Sequence, residues 1–310
     1  MNSNAPGDWS PRNEGKVPIG LALSAGGARG AYQMGSWKAF REIGLEFDAI
    51  AGSSIGALNG ALICQGDWDL AHKLWMNISR AAMLRSNPRR LWRLAGRAAY
   101  DISLFLIPIP KIWIARYLRT GIATLVALGR NGTLRTLARE GLIDMEVLLK
   151  ELRHYLNMEI VIRSSIPLFV HISGSAKLLS PTGKTELYTM QELKVETAWK
   201  VLAASMSLPV AFGKVELEGE SYRDGGLTRW LPVDTLRQKG YRKIVAISTN
   251  PKPGLNRKLH QDNDILVIQP EASLGRFPFA TFRFTKASIL TWMEQGYRDA
   301  KKALDQWSML

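Results

Sequence analysis

The chain has 310 residues, 46% of them hydrophobic and 22% charged. This is enough for one large domain or two modest ones with a sizeable core, and it excludes a disordered chain. Cys64 is the only cysteine, which excludes an internal disulfide and suits a reducing, cytoplasmic compartment. It lies in the apolar stretch Gly60-Ala61-Leu62-Ile63-Cys64 and reads as a small core residue. No Cys/His cluster has metal-ligand spacing, so neither a metal nor a cofactor is expected. Lys and Arg number 41 against 27 Asp and Glu, a net charge of +14, which favours anionic partners.

Residues 1–16 are polar, contain Pro6, Gly7 and Pro11, and lack the apolar run of a secretory signal. They read as a flexible tail ahead of one folded domain over 17–310. Val17–Ser24 is a short apolar run ending in glycines and predicts a buried strand. Ala28–Ile43 predicts a helix, Phe47–Ala51 a second strand, Ile55–Cys64 a second helix and Asp67–Ala81 a third. Strand, glycine turn, helix, strand, tight turn, helix is the rhythm of a parallel α/β sheet.

From Arg80 to Arg130 the rhythm breaks. Ten Lys/Arg and one acid, Asp101, are mixed with Trp92, Phe105, Trp113 and many leucines and isoleucines. With the helices up to Leu156, this stretch reads as a basic, aromatic-rich helical insertion over 80–156. Residues 80–130 fit a segment that lies on an anionic membrane surface, placing the protein peripherally at the inner face. They also fit a solvated basic face on helices packed into the core. No recognised nucleic-acid-binding motif accompanies the charge. No run reaches the roughly 18 uncharged apolar residues that a spanning helix needs.

Beyond the insertion, Glu159–Arg163 predicts a strand. Leu168–Leu178 and Thr185–Met190 predict a hairpin, Glu196–Ser207 a helix stopped by Pro209, and Lys214–Leu217 with Ser221–Arg223 another hairpin running into Asp224. Lys243–Ser248 and Asp264–Ile268 predict strands, and Lys286–Trp307 a long final helix.

Three segments carry candidate chemistry. Gly52-Ser53-Ser54-Ile55-Gly56 lies between a strand and a helix, the setting of a nucleophile elbow. There Ser54 is thrust outward, and Gly52 and Gly56 let strand and helix approach. The same residues also fit a turn in which Ser53 or Ser54 caps the helix. Ser24-Ala25-Gly26-Gly27-Ala28-Arg29-Gly30 offers consecutive backbone N–H groups at a helix start. It lacks the spacing of a dinucleotide or nucleotide loop, so an oxyanion hole is the better reading. Arg29 either anchors this loop or sits near an anionic headgroup. Asp224-Gly225-Gly226 places a carboxylate beside two glycines, and it also matches a plain hairpin turn. Only His260 follows Asp224, so a Ser54–Asp224–His260 triad is formally available, but His260 sits in a polar connection without a signature. The elbow also follows two strands rather than the several that precede it in α/β-hydrolases.

The ordered set Gly26-Gly27-Ala28-Arg29-Gly30, Gly52-Ser53-Ser54-Ile55-Gly56-Ala57-Leu58-Asn59, Ala204-Ser205-Met206-Ser207-Leu208-Pro209-Val210-Ala211-Phe212 and Asp224-Gly225-Gly226-Leu227 with Leu231-Pro232-Val233 resembles the patatin-like phospholipase family, in its bacterial type. The resemblance covers roughly 17–64, 165–250 and the final helix, and leaves out 80–156. Arg229-Trp230 departs from it, where an asparagine often stands.

The resemblance implies a three-layer α/β/α fold with a mainly parallel central sheet and a helical insertion. It also implies a Ser–Asp dyad: Ser54 Oγ as nucleophile, Asp224 as proton acceptor, the Gly26, Gly27, Ala28 and Arg29 amides as oxyanion hole, and an acyl-serine intermediate. The implied substrates are phospholipids, lysophospholipids or other acyl esters. The rival expectation is a lipid-binding or regulatory protein on the same scaffold without turnover.

Overall fold

The structure is a computed structural model that describes residues 17–78, 143–174, 184–209, 211–250, 264–276 and 279–307. Its strands are β1 Ile19–Leu23, β2 Ala49–Ser53, β3 Leu168–Gly174, β4 Thr185–Thr189, β5 Val215–Leu217, β6 Glu220–Asp224, β7 Lys243–Ile247 and β8 Ile265–Ile268. Its helices are α1 Ala31–Glu42, α2 Ile55–Gln65, α3 Trp68–Asn77, α4 Met145–Leu152, α5 Met158–Ile162, α6 Val195–Ser205, α7 Val233–Gln238 and α8 Lys286–Trp307.

The strands form one sheet in the order β5-β6-β3-β2-β1-β7-β8, with β4 also paired to β3. β3, β2, β1, β7 and β8 run parallel, while β4, β6 and β5 are antiparallel additions at the β3 end. The central strands are buried on both faces, which is why they read as unbroken apolar runs rather than alternating ones.

Side chains still leave each strand alternately. Leu21 and Leu23 join the larger core under α1, α2, α6 and α8, and Ala22 points to the smaller core closed by Val233 and Leu236 of α7. Helices therefore lie on both faces and give a three-layer α/β/α arrangement. Among the described residues no helix is long and apolar enough to cross a membrane.

Three expectations are corrected. Glu159–Arg163 is not a strand but lies in and just beyond α5. Asn157 caps that helix by accepting from the Glu159 N–H at 3.0 Å, and Met158 and Val161, three residues apart, turn to the core. The helix expected from Ala28 begins as a 3-10 turn, Gly27–Gly30, and becomes α-helical only at Ala31, because Gly27 enters it at φ +59°. The second strand starts two residues later than expected, at Ala49. The Asp48 carboxylate accepts from the Ile19 N–H at 2.8 Å and sets the register with β1. The short helix α7 was not read from the sequence at all.

Residues 80–142 of the expected insertion, including the basic stretch 80–130, lie outside the described residues, as does His260. Within the remainder of 80–156, Leu148 and Leu152 of α4 are fully buried in the main core.

Candidate active site

Strand pairing brings Ser54 into the neighbourhood of Asp224. β4 occupies one edge of β3 over Phe169–Ser173. The other edge is shared: β2 pairs with its first half, ending at Ser53 opposite His171, and β6 pairs with its second half, ending at Asp224 opposite Ile172. β2 is parallel to β3 and β6 antiparallel, so the two strands run head-on and their last residues meet. Ser54 Oγ donates to Asp224 Oδ2 at 2.6 Å. The remaining carboxylate oxygen, Oδ1, accepts from the Gly226 N–H at 2.7 Å, and the Asp224 N–H donates to the Ser207 carbonyl at 3.1 Å.

Ser54 sits at φ 56°, ψ −124° between β2 and α2, a sparsely populated region for a residue with a Cβ. Its side chain makes no cap bond to α2, which sets aside the helix-cap reading of this residue. The tight approach of strand and helix explains Gly52 and Gly56: a Cβ on Gly52 would lie 2.5 Å from the Gly56 carbonyl oxygen. The Ser54 N–H donates to Ser205 Oγ at 3.0 Å, and that hydroxyl donates to the His171 carbonyl at 2.8 Å. Asp224-Gly225-Gly226 is likewise no hairpin turn. It ends β6 and enters a 3-10 turn, Gly225–Leu227.

The glycine loop lies across from this pair. Gly226 faces Ala25, whose N–H donates to the Trp230 carbonyl at 2.8 Å. The Arg229-Trp230 departure is thus accommodated through backbone, and Arg229 itself pairs with Asp234 at 3.2 Å. Gly27, Ala28, Arg29 and Gly30 form the 3-10 turn that leads into α1, and the first N–H groups of such a turn have no partner within it. Arg29 is nearly buried, and its Nε donates to the Gly26 carbonyl at 3.2 Å, so it anchors the loop.

Beneath the loop runs a buried polar chain. Trp75 Nε1 donates to Asn59 Oδ1 at 3.0 Å, and Asn59 Nδ2 to the Gly30 carbonyl at 3.0 Å and Gln33 Oε1 at 2.8 Å. Gln33 Nε2 in turn donates to the Ser24 carbonyl at 2.7 Å. Thr249 closes the other side, its Oγ1 donating to the Ala25 carbonyl at 2.7 Å.

Burial dominates the electrostatics. Asp224 is pushed up to about 7 by loss of hydration, against the opposing pull of hydrogen bonds from Ser54 and Gly226. Burial also lowers Arg29. His171 is pushed down to about 4 by burial and by the nearby positive charge of Arg229, so its ring is neutral, with Nε2 bonded to Thr235 Oγ1 at 2.7 Å. Among the described residues no histidine is hydrogen-bonded to Ser54 or Asp224, and no group of His, Cys, Asp or Glu could hold a metal ion.

The pair opens into a cavity of about 220 Å³. Gly26, Gly27, Arg29, Ser54, Asp224 and Gly226 form its polar floor. Its walls are apolar, from Ile55, Ile143, Leu148, Met206, Leu208 and Phe212 to Trp230, Phe282 and Phe284. The arrangement presents a hydroxyl held by a carboxylate of raised pKa, facing backbone N–H groups, under a space suited to an aliphatic chain. Sequence reasoning placed Ser205 and Ser207 in a motif but assigned them no task. It also missed the chain from Trp75 to Ser24, for which the only signal was polar residues embedded in apolar helices.

A family profile described as "Patatin-like phospholipase" matches residues 21–237. The chain is 42% identical over 82 residues to "Lysophospholipase nte1" of Aspergillus terreus, a match covering 26% of this chain and 5% of that protein. It is 56% identical over 46 residues to "Neuropathy target esterase sws" of Drosophila persimilis, covering 15% of this chain and 3% of that one. The matches thus span only a few per cent of these curated relatives' own length. Among solved structures, VipD from Legionella pneumophila gives a TM-score of 0.44 at 16% identity, covering 94% of this chain and 67% of VipD. ExoU from Pseudomonas aeruginosa, solved with SpcU, gives 0.41 at 17% identity, covering 93% and 53%.

Proposed function

Because the chain belongs to the patatin-like phospholipase family, we propose that it is a lipid acyl hydrolase, a carboxylic ester hydrolase that works through a Ser54–Asp224 dyad. The observation that carries this reading is the 2.6 Å hydrogen bond from Ser54 Oγ to Asp224 Oδ2 at the floor of an apolar cavity.

In this mechanism Ser54 Oγ attacks the ester carbonyl carbon while Asp224 takes its proton. The tetrahedral oxyanion is received by backbone N–H groups of the Gly26–Arg29 loop. As the intermediate collapses, the C–O bond to the leaving alcohol breaks, and Asp224 returns the proton to the departing oxygen. Asp224 then takes a proton from water as that water attacks the acyl-Ser54 ester, and it passes the proton to Ser54 Oγ as the acyl C–O bond breaks and the fatty acid is released. A carboxylate of ordinary pKa is a poor base for a serine, and the burial that lifts Asp224 to about 7 brings it close to working pH.

The substrates are phospholipids, lysophospholipids or related acyl esters. The apolar walls and the lysophospholipase activity named for one relative support this. The basic, aromatic composition of 80–130 supports peripheral binding to an anionic membrane from the cytoplasmic side. Binding to anionic vesicles that weakens with salt, and weakens further when Arg85, Arg89, Arg90, Arg93 and Arg97 are neutralised, is the expected result.

Labelling with a fluorophosphonate, followed by a panel of lipid esters, tests the chemistry. Wild-type protein is expected to form a Ser54 adduct and Ser54→Ala none. Full esterase activity in Ser54→Ala would refute the mechanism. No adduct and no turnover in the wild type would leave the lipid-binding alternative.

A further inference from the structure

Ser205 closes α6 and is fully buried. Its hydroxyl accepts the Ser54 backbone N–H at 3.0 Å and donates to the His171 carbonyl at 2.8 Å, so its proton is spent on the sheet and a lone pair on the elbow. Ser54 needs such a hold. Only two described residues other than glycine have positive φ, Ser54 and Glu218. Glu218 is exposed at the tip of the β5–β6 hairpin, where relaxation is free, whereas Ser54 is buried at the reacting centre. A conformation of this kind persists only where its surroundings over-determine it.

Two residues beyond Ser205, the Ser207 carbonyl accepts the Asp224 N–H at 3.1 Å. One turn of chain at the end of α6 therefore grips the backbone amides of both members of the dyad. Neither bond is needed to form the sheet, since Ser53 and Asp224 already pair with β3.

We infer that Ser205 is a positioning residue for the reaction proposed above: its hydroxyl pins the Ser54 amide so that Oγ meets the Asp224 carboxylate. By occupying that amide it also leaves oxyanion binding to the Gly26–Arg29 loop. The inference rests on the reading of Ser54 as nucleophile and Asp224 as base.

The test compares full-length Ser205→Ala and Ser205→Thr with wild type on a soluble short-chain p-nitrophenyl ester. Kinetics are recorded from pH 5 to 9, with active enzyme counted by fluorophosphonate titration so that partial unfolding does not enter the rate. Ser205→Ala is expected to lower kcat by about tenfold or more with KM nearly unchanged, since small misplacement of reacting groups costs on that order. It is also expected to move the acid limb of kcat/KM to higher pH, because the Ser54 hydrogen bond that holds Asp224 down is weakened. Ser205→Thr, which keeps the hydroxyl, is expected to restore the acid limb. A wild-type kcat in Ser205→Ala overturns the inference. So does a loss of kcat with an unmoved acid limb, which would mark a merely structural serine. Activity surviving in Ser54→Ala would instead overturn the nucleophile assignment on which the inference stands.

Discussion

Gly225 is packed directly against the carbonyl oxygen of His171, so closely that a Cβ at position 225 would overlap it. That carbonyl is the acceptor for Ser205 Oγ, and Gly225 follows the carboxylate that holds Ser54. The contact therefore links the end of β6, the middle of β3 and the end of α6. Gly225→Ala must push these elements apart. Overpacking of this kind costs about 1–3 kcal/mol, and the displacement falls on the Ser54–Asp224 distance. Thermal melts should show a modest loss of stability, with ester hydrolysis reduced by roughly two orders of magnitude, the scale of such misplacements. Unchanged hydrolysis would show that the contact does not set the dyad.

The raised pKa of Asp224, about 7, gives a signed prediction for rate and stability together. In the proposed role of base Asp224 must be ionised, so kcat/KM is expected to fall about tenfold per pH unit below 7 and level off above it. Stability runs the other way. The folded-state pKa lies above the ordinary carboxyl value of 3.8, so the folded protein binds more protons than the unfolded chain between those values. This contribution is fully present below the unfolded pKa and is lost as pH rises through about 7. Replacing the carboxylate by an amide removes the cost of ionising it in the interior. Asp224→Asn should thus be inactive, yet melt higher than wild type at pH 8 and at nearly the same temperature at pH 4. A lower melting point at pH 8 would contradict the burial argument.

The legible parts of this fold were those in which local pattern and tertiary setting agree. The strands β1, β7 and β8 are buried on both faces and so appear as apolar runs. The last helix, Lys286–Trp307, is amphipathic along its whole length and was bounded correctly. Ser54 and Asp224 were legible because each stands beside glycines that the backbone geometry demands. What escaped depends on contacts distant in sequence. Met158–Ile162 is a five-residue stretch, apolar except for Glu159, that fits strand or helix equally, and the Asn157 cap decides it. Ser205 carries an ordinary hydroxyl whose partners lie 34 and 151 residues away. Strand order was equally hidden, although it is the shared edge of β3 that brings Ser54 to Asp224.

Asn59 offers a test of how far the Gly26–Arg29 loop depends on its foundation. Its side chain satisfies the Gly30 carbonyl, Gln33 Oε1 and Trp75 Nε1, and it is fully buried. Asn59→Leu keeps the volume and strands all three groups. Each stranded group costs about 1–3 kcal/mol, and a domain of this size loses roughly 2–4 °C per kcal/mol. A fall in melting temperature of about 5 °C or more follows. Because Gln33 is the donor to the Ser24 carbonyl, the loop it supports should loosen, and the rate of fluorophosphonate labelling at Ser54 should drop with it. A destabilised protein that labels at the wild-type rate would separate the network from the loop.

Leu208 tests whether the apolar wall receives the acyl chain. It lines the cavity beside Met206 and Phe212 and is only half buried, so Leu208→Asn should cost the fold little. The substitution adds no formal charge and leaves Asp224 in its present field. A polar amide in the wall penalises each methylene that would pack there. Burying one CH₂ is worth about 0.8 kcal/mol, so losing the packing of two is close to a tenfold effect. Turnover of a short acetyl ester should therefore be nearly unchanged, while kcat/KM for a long-chain ester of the same leaving group falls about tenfold. If both esters slow equally, Leu208 acts on the dyad rather than on the chain. If neither slows, the acyl group leaves the site by another wall.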